Sequence, residues 1–137
     1  KFDVVYDIEP GLEEILCPKF LIQPVVENAI VHGVLPKAGF STITIVIRSQ
    51  DSFVNIQVSN DGLPISQDRL SEVNDSLSKE SSAHKGLGLS SIRRRLKLLY
   101  GDQADLTITS TQVPEKTTVT ILFPLQKGET SCTGQSL

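Results

Sequence analysis

Glu27 and Asn28 place a carboxylate beside a carboxamide inside an otherwise apolar segment, Gln23-Pro24-Val25-Val26-Glu27-Asn28-Ala29. A polar side chain on a buried helix face is costly unless it is satisfied, so at least one of the two should face a cleft. His32 lies one helical turn beyond Asn28 and should share its face. A carboxamide oxygen suits Mg²⁺, which takes oxygen ligands and is shared with substrate phosphates. A structural Asn28 that only forms internal hydrogen bonds is the alternative, and this segment alone leaves both open.

A second polar segment, Ser59-Asn60-Asp61-Gly62, ends an apolar strand pattern. A side-chain oxygen at this point could accept a hydrogen bond from the exocyclic amine of adenine. Gly62 would let the backbone approach the base closely, because glycine carries no side chain. Asn-Asp-Gly is also a general turn signal, and taken alone the segment is better explained as an ordinary turn.

The third segment, Lys85-Gly86-Leu87-Gly88-Leu89, is a glycine hinge at the start of an amphipathic helix. Free backbone N–H groups and the positive end of a helix favour an anion there. The polar stretch before it predicts a mobile lid over about residues 76–85, which we expect to lack an apolar anchor. A glycine pair before a helix is a weak signal by itself. All three segments in this order, around one sheet, predict an ATP site with a metal ligand, an adenine acceptor and phosphate donors.

The spacing of apolar residues predicts the helices that hold these segments. One helix carries apolar and small residues at helical spacing, with Pro24 in its first turn, and ends at Gly33 and Pro36. A weaker helix is expected over residues 67–77. A strong helix begins at Leu89, with its stripe formed by Leu89, Ile92, Leu96 and Leu99.

Period-two alternation predicts the strands. Residues 2–8 form an edge strand, and two antiparallel hairpins follow. Their alternating apolar residues are Ile43, Ile45 and Ile47 with Val54, Ile56 and Val58, then Leu106 and Ile108 with Val119, Ile121 and Phe123. The second hairpin is expected to turn across Pro114-Glu115-Lys116. Each hairpin presents one apolar face, which predicts an α+β, two-layer sandwich: a mixed sheet covered on one face by helices.

Composition sets the broader class. A chain of 137 residues and 15.0 kDa fits one domain, expected over residues 1–126, followed by a disordered polar tail over residues 127–137. The net charge of −3 disfavours a nucleic-acid binder. Cys17 and Cys132 form no metal-binding pattern and are expected to be reduced thiols. No apolar run is long enough to span a membrane, and a chain that begins with Lys1 rather than Met is expected to be part of a longer protein.

These motifs resemble a known family. Gln23-Pro24-x-x-Glu27-Asn28-Ala29-x-x-His32-Gly33 is similar to the N box of sensor histidine kinases, in the subfamily of bacterial autolysis regulators and sugar-uptake sensors. Asn60-Asp61-Gly62 resembles the first glycine box and Gly86-Leu87-Gly88-Leu89 the second. The resemblance extends over about residues 3–125. It implies the Bergerat fold that histidine kinases share with DNA gyrase, a heat-shock chaperone and mismatch-repair ATPases.

The chain departs from the pattern of this superfamily at several positions. The first glycine box usually reads Asp-x-Gly-x-Gly, and here Asn60, Gly62 and Pro64 stand at those positions. An Asn oxygen still accepts from adenine, so binding should survive. Val31 replaces a usual basic residue that contacts phosphate, and Pro24 stands where ATPase members carry a water-activating Glu. Rapid ATP hydrolysis is therefore not expected.

The resemblance implies a catalytic module that transfers the γ-phosphoryl group of ATP to a histidine on an upstream dimerisation domain. Asn28 would bind Mg²⁺, and Glu27 would act as a base or polarise the attacking imidazole. The implied nucleotide contacts are Asn28, His32, Asn60, Asp61, Gly62, Lys85, Gly86, Leu87, Gly88 and Leu89. The implied partner is a response regulator, and the parent would be a homodimeric, membrane-anchored sensor with this domain in the cytoplasm.

Two other functions stay open. One is an ATP-operated conformational switch or docking module without phosphoryl transfer, which the departures at Asn60 and Val31 permit. The other is a protein-serine kinase of the same superfamily, which the Gln-Pro-x-x-Glu-Asn-Ala form disfavours. The run Arg93-Arg94-Arg95 is either a solvated helix face or a surface that contacts an acidic partner or the phosphates.

Overall fold

Five strands form one mixed sheet in the computed structural model, which describes residues 2–12, 19–78 and 88–125. The strands are β1 (Phe2–Ile8), β2 (Ser41–Gln50), β3 (Phe53–Asn60), β4 (Asp105–Gln112) and β5 (Glu115–Pro124). Their order in the sheet is β1-β2-β3-β5-β4, with β1 parallel to β2 and the remaining neighbours antiparallel. The predicted edge strand and both predicted hairpins are confirmed. The second hairpin turns earlier than expected, at Val113 and Pro114, because Glu115 and Lys116 already pair within β5.

Three α-helices accompany the sheet: α1 (Lys19–Ala29), α2 (Gln67–Ser78) and α3 (Leu89–Tyr100). A π-helical turn, Ile30–Val34, continues α1. Pro24 lies inside α1, beyond its first turn, so the prediction of a first-turn proline is wrong. No helix within the described ranges is both long and apolar enough to cross a membrane.

The inner face of the sheet is built from rows of paired residues. Two rows are wholly apolar and buried: Ile47, Ile56, Ile121 and Leu106 in one, and Ile45, Val58, Val119 and Ile108 in the other. The helices cover these rows with Leu21, Val25, Val73, Leu77, Leu89, Ile92 and Leu96. This two-layer packing confirms the predicted α+β fold. The next row consists of Ile43, Asn60, Thr117 and Ser110, so the inner face becomes polar at one end of the sheet.

Glu9 fastens the end of β1 to its neighbour. Its backbone N–H donates to the Ile47 carbonyl at 2.9 Å, and its carboxylate accepts from the Ser49 N–H at 2.9 Å and the Ser49 hydroxyl at 2.7 Å. The backbone hydrogen bond from Ser49, followed by the hydroxyl bond, holds the pKa of Glu9 below its usual value. The parallel pairing of β1 with β2 is therefore stabilised by the ionised Glu9 carboxylate as well as by the backbone hydrogen bonds between the two strands.

The expected lid falls only partly within the described residues. Residues 76–78 are the last turn of α2, and Leu77 is buried in the core. The expectation of a segment without an apolar anchor is therefore wrong at this end. Residues 79–85 of the predicted lid and the predicted tail, residues 127–137, lie outside the described ranges.

Candidate functional site

The end of α1 and the π-helical turn form one wall of a pocket. Asn28 and His32 line it together, as their helical spacing predicts, along with Ala29 and Gly33. The turn is a true π turn, since the Leu35 N–H donates to the Ile30 carbonyl at 2.9 Å, five residues back. Such turns occur frequently at functional sites. The backbone thus brings a carboxamide, an imidazole and a glycine to one surface.

Asn60 forms part of the floor of this pocket. It is only 5% exposed, and its side-chain oxygen accepts the Gly62 N–H at 2.9 Å. The carboxamide packs directly on Gly33: a Cβ at position 33 would lie 2.5 Å from the Asn60 oxygen. The remaining lone pair of that oxygen is the acceptor that the sequence assigned to adenine.

Gly62 is required for a reason that differs from the predicted one. A Cβ at this position would overlap the carbonyl of Gly33. The same carbonyl accepts the Leu63 N–H at 2.8 Å. The absence of a side chain at Gly62 therefore lets the turn after β3 pack on the π-helical turn, so the close approach is to protein backbone.

Thr117 completes the floor, and sequence analysis missed it. It is buried in β5 beside Asn60 and lines the pocket. Its hydroxyl lies 2.8 Å from the hydroxyl of Ser110 on β4, which also accepts the Ile65 N–H at 2.9 Å. The available signal was the alternation of the two strands: Ser110 occupies the inward position after Ile108, and Thr117 the inward position before Val119.

The pocket is narrow and amphipathic. Leu63 and Ile65 add apolar surface to the walls already described. Its volume of about 10 Å³ accommodates about one water molecule. Leu63 is roughly half exposed at the mouth of the pocket. Apolar walls over a floor with two hydrogen-bonding groups suit a flat heterocycle that is recognised along one edge.

Asp61 points away from this pocket. Its carboxylate accepts the Thr42 N–H at 2.7 Å, and its carbonyl accepts from the Lys37 ammonium at 2.7 Å. Lys37 also forms a 2.9 Å ion pair with Glu115. Asp61 lines a second depression instead, together with Thr42, Thr44, Ser59, Asn60, Pro114, Glu115 and Lys116. Asp61 therefore lines only the second depression, whereas Asn60 lines both, and the hydrogen bonds of Asp61 hold the turn after β3.

Glu27 lies beside the pocket and not in its lining. Its side chain is exposed and accepts a hydrogen bond from the Gln23 amide at 3.1 Å, one turn earlier in α1. It therefore faces solvent next to Asn28.

The glycine hinge is only partly visible. Gly88 has a φ of 83° and begins α3, a left-handed conformation that favours glycine. The Leu89 side chain is fully buried in the core, so any contact that this residue makes with a nucleotide is through its backbone. Lys85, Gly86 and Leu87 lie outside the described residues.

The arginine run divides into two parts. Arg93 is engaged within the fold, since its guanidinium pairs with Asp105 at 2.9 Å and donates to the Leu77 carbonyl at 2.8 Å. Arg94 and Arg95 are exposed on α3. Arg93 therefore joins α2, α3 and β4 and is not part of a free cationic surface.

A magnesium ion fits this donor set. Mg²⁺ keeps several waters and is held by few protein ligands together with substrate phosphates. The part-exposed carboxamide of Asn28 at the pocket supplies one such oxygen-bearing group. Among the described residues there is no cluster of three His, Cys, Asp or Glu side chains, so an all-protein metal cage is not present there.

Residues 17–127 match the family described as histidine kinase-, DNA gyrase B- and HSP90-like ATPase. The chain belongs to this family. It is an ATP-binding domain, and the fold and the recognised motifs agree with that membership. The predicted resemblance to sensor histidine kinases is confirmed.

Relatives and solved structures are consistent with the family. The chain is 39% identical over 104 residues to the sensor histidine kinase YpdA of Escherichia coli, which covers 74% of this chain and 17% of YpdA. It is 33% identical over 129 residues to the sensor protein LytS of Bacillus subtilis, covering 93% of this chain and 21% of LytS. The catalytic domain of histidine kinase ThkA superposes with a TM-score of 0.64 at 19% identity, over 90% of this chain and 78% of that domain. The chain thus spans about a fifth of the length of the curated relatives.

Proposed function

We propose that this domain binds Mg²⁺·ATP in the pocket lined by Asn28, Asn60 and Thr117. In this proposal it donates the γ-phosphoryl group to a histidine on an upstream dimerisation domain. The observation that carries the proposal is the polar end of the inner sheet face, where Asn60 and Thr117 lie beneath the Asn28 face of α1. That arrangement offers a base-recognising floor and a metal ligand within one pocket.

Each described residue has a separate task in this proposal. Asn60 accepts from the adenine amine, and the apolar side chains of Leu63 and Ile65 cover the faces of the base. Asn28 holds Mg²⁺, which neutralises charge on the phosphates when it is bound. His32 lies one turn beyond Asn28, and the backbone at the start of α3 provides N–H groups for the phosphates. Phosphoryl transfer needs positioning and charge neutralisation more than covalent chemistry from the protein.

Glu27 acts on the incoming nucleophile. It is exposed beside Asn28, and in this proposal the histidine of another domain arrives on that side. A carboxylate there orients the imidazole and accepts its proton. Pro24 carries no group that can activate water, so transfer to a positioned imidazole is favoured over hydrolysis.

We infer further that residues 1–126 act as the catalytic domain of a homodimeric sensor kinase. Its cognate response regulator receives the phosphoryl group from the upstream histidine. The similarity to the sensor histidine kinase YpdA and the sensor protein LytS supports this inference. A membrane-anchored parent with this domain in the cytoplasm is part of the same proposal, as is a disordered tail over residues 127–137.

Calorimetry of Asn28→Ala tests the metal assignment. Wild type should bind ADP and ATP, with tighter binding when Mg²⁺ is added, and should melt at higher temperature with ligand because only the folded state binds. Asn28→Ala should keep the ligand-free melting temperature and lose the Mg²⁺-dependent part of the affinity. Asn55→Ala, on the outer face of β3, is the matched control and should bind as wild type does. A lowered melting temperature with intact Mg²⁺-dependent binding would show that Asn28 is structural.

Phosphoryl transfer requires a second experiment. The chain is incubated with γ-labelled ATP alone, and then with the upstream helical hairpin of its own parent protein. Label should appear on the hairpin histidine only, with little free phosphate from the chain alone. Binding without transfer would favour the nucleotide-operated switch. Label on the chain itself would contradict the assignment of the nucleophile to another domain.

A further inference from the structure

Ser110 lies directly behind the pocket floor and joins two of its lining residues. The Ser110 hydroxyl oxygen accepts the Ile65 N–H at 2.9 Å and lies 2.8 Å from the Thr117 hydroxyl. Ser110 and Thr117 are both about 7% exposed. These are the hydrogen bonds of the Ser110 hydroxyl within the described residues. Ser110 itself does not line the pocket.

These contacts fix the direction of the hydroxyl pair. A serine hydroxyl has one hydrogen to donate and two lone pairs. One lone pair of Ser110 is occupied by the Ile65 N–H. If Thr117 donated to Ser110, the Ser110 hydrogen would be left without an acceptor in a buried position, which is costly. Donation from Ser110 to Thr117 satisfies the Ser110 hydroxyl, and it leaves the unpaired hydrogen on Thr117, which lines the pocket.

The Thr117 hydrogen is then available to the pocket. The chain of hydrogen bonds runs from the Ile65 N–H through Ser110 to Thr117, and it ends in a donor at the pocket floor. Asn60, the neighbour of Thr117 across β3 and β5, presents an acceptor because its oxygen has one lone pair left after Gly62. A donor beside an acceptor matches the amine of adenine and an adjacent ring nitrogen. Guanine would bring its carbonyl oxygen to the Asn60 acceptor instead.

We infer that Ser110 is a positioning residue for base selection: it holds the Thr117 hydroxyl as a donor and thereby favours adenine over guanine nucleotides. The inference rests on the proposed nucleotide function of this pocket. The inference goes beyond that function because Ser110 does not line the pocket and acts only through Thr117. The preference for adenine over guanine then depends on which of the two hydroxyls donates to the other.

Binding of Mg²⁺·ADP is compared with that of Mg²⁺·GDP and of the 1-deaza and 7-deaza analogues of ADP. Wild type should bind GDP more weakly than ADP. It should also bind one of the two deaza analogues, the one that lacks the nitrogen contacted by Thr117, about two- to tenfold more weakly than ADP, which is the value of one neutral hydrogen bond. Ser110→Ala should lower the preference for ADP over that analogue, because the Thr117 hydroxyl loses the donor that orients it, and should leave the analogue's own affinity unchanged. Thr117→Val removes the proposed donor, keeps the bond between Ser110 and Ile65, and should abolish that preference.

Two further variants separate positioning from folding. Ser110→Thr retains the hydroxyl and should restore the ADP-to-analogue ratio, whereas Thr109→Ala removes an exposed hydroxyl of the same strand and should leave that ratio as in wild type. The double variant Ser110→Ala/Thr117→Val should lose no more discrimination than Thr117→Val alone. If Ser110→Ala weakens ADP and the analogue equally, Ser110 acts only through the fold and the inference is overturned. If wild type binds none of the ligands, the proposed function fails and the inference fails with it.

Discussion

Gly33→Ala should uncouple the pocket floor from the helix that covers it. The new Cβ would lie 2.5 Å from the Asn60 oxygen and 2.9 Å from its carboxamide carbon. The carboxamide must move by close to an ångström to reach an ordinary contact distance, and its 2.9 Å bond to the Gly62 N–H is then lost. We expect both lower stability and weaker adenine binding, because the same side chain serves both.

The magnitude follows from three contributions. Overpacking of a buried site costs about 1–3 kcal/mol. Loss of the hydrogen bond between Asn60 and Gly62 adds about 0.5–1.5 kcal/mol. Gly33 does not adopt a positive φ, so alanine also reduces unfolded-state entropy, which offsets about 0.4–1 kcal/mol. The net expectation is a loss of about 0.5–4 kcal/mol in the free energy of unfolding.

Chemical denaturation of a double-mutant cycle tests this reasoning. Asn60→Ala removes the atoms that the new Cβ would meet, so Gly33→Ala should be neutral or slightly stabilising in that background. Thermal melts should agree, with about 3–5 °C for each kcal/mol in a domain of this size. An equal loss of stability with and without the Asn60 side chain would refute the clash as the cause.

Three other perturbations have definite expected outcomes. Gly62→Ala should cost more stability than Gly33→Ala, and truncation of the pocket asparagine should not rescue it, because the overlap is with the backbone of Gly33; denaturation in both backgrounds measures this. The pKa of Glu9 is lowered in the folded state by Ser49, so its stabilisation is present above its ordinary value of 4.5 and is lost as the pH falls through the folded value. Glu9→Gln should therefore lower the free energy of unfolding at neutral pH. In this variant the free energy of unfolding should also fall less steeply as the pH is lowered, and a fall as steep as in wild type would contradict the assignment. Arg93→Ala should cost about 1–2 kcal/mol in denaturation, since the guanidinium makes two charge-assisted hydrogen bonds, whereas Arg94→Ala on the exposed side of the same helix should be near neutral.

The elements that sequence predicted well are those set by local periodicity. Asn28 and His32 line the same pocket because they are four positions apart on a helix, and both hairpins follow from alternation within short segments. Thr117 was missed because its role depends on register: β3 and β5 are distant in sequence, and only their pairing brings Thr117 beside Asn60.

Asp61 and Leu89 were both assigned to the nucleotide site from sequence motifs, and a motif does not specify the direction of a side chain. Asp61 follows Asn60 directly, yet its carboxylate bonds to the Thr42 backbone and lines a different depression. Leu89 belongs to the glycine motif and also to the apolar stripe of its helix, and packing decides the position of its side chain. A motif marks a stretch of backbone, whereas the direction of each side chain is fixed by the sheet and core around it.

Gly33 also explains why two motifs that are separate in sequence act as one structural unit. Its carbonyl accepts the Leu63 N–H, Gly62 packs against that carbonyl, and the Asn60 carboxamide packs on its Cα. Asn28 lies on the helical segment that leads directly into Gly33. The proposed metal ligand and the proposed base acceptor are therefore connected through a few backbone contacts without an intervening flexible side chain. Because Asn60 belongs to the sheet and Asn28 to α1, a shift of α1 relative to the sheet would change their separation, and the packing of Gly33 on Asn60 and Gly62 opposes such a shift.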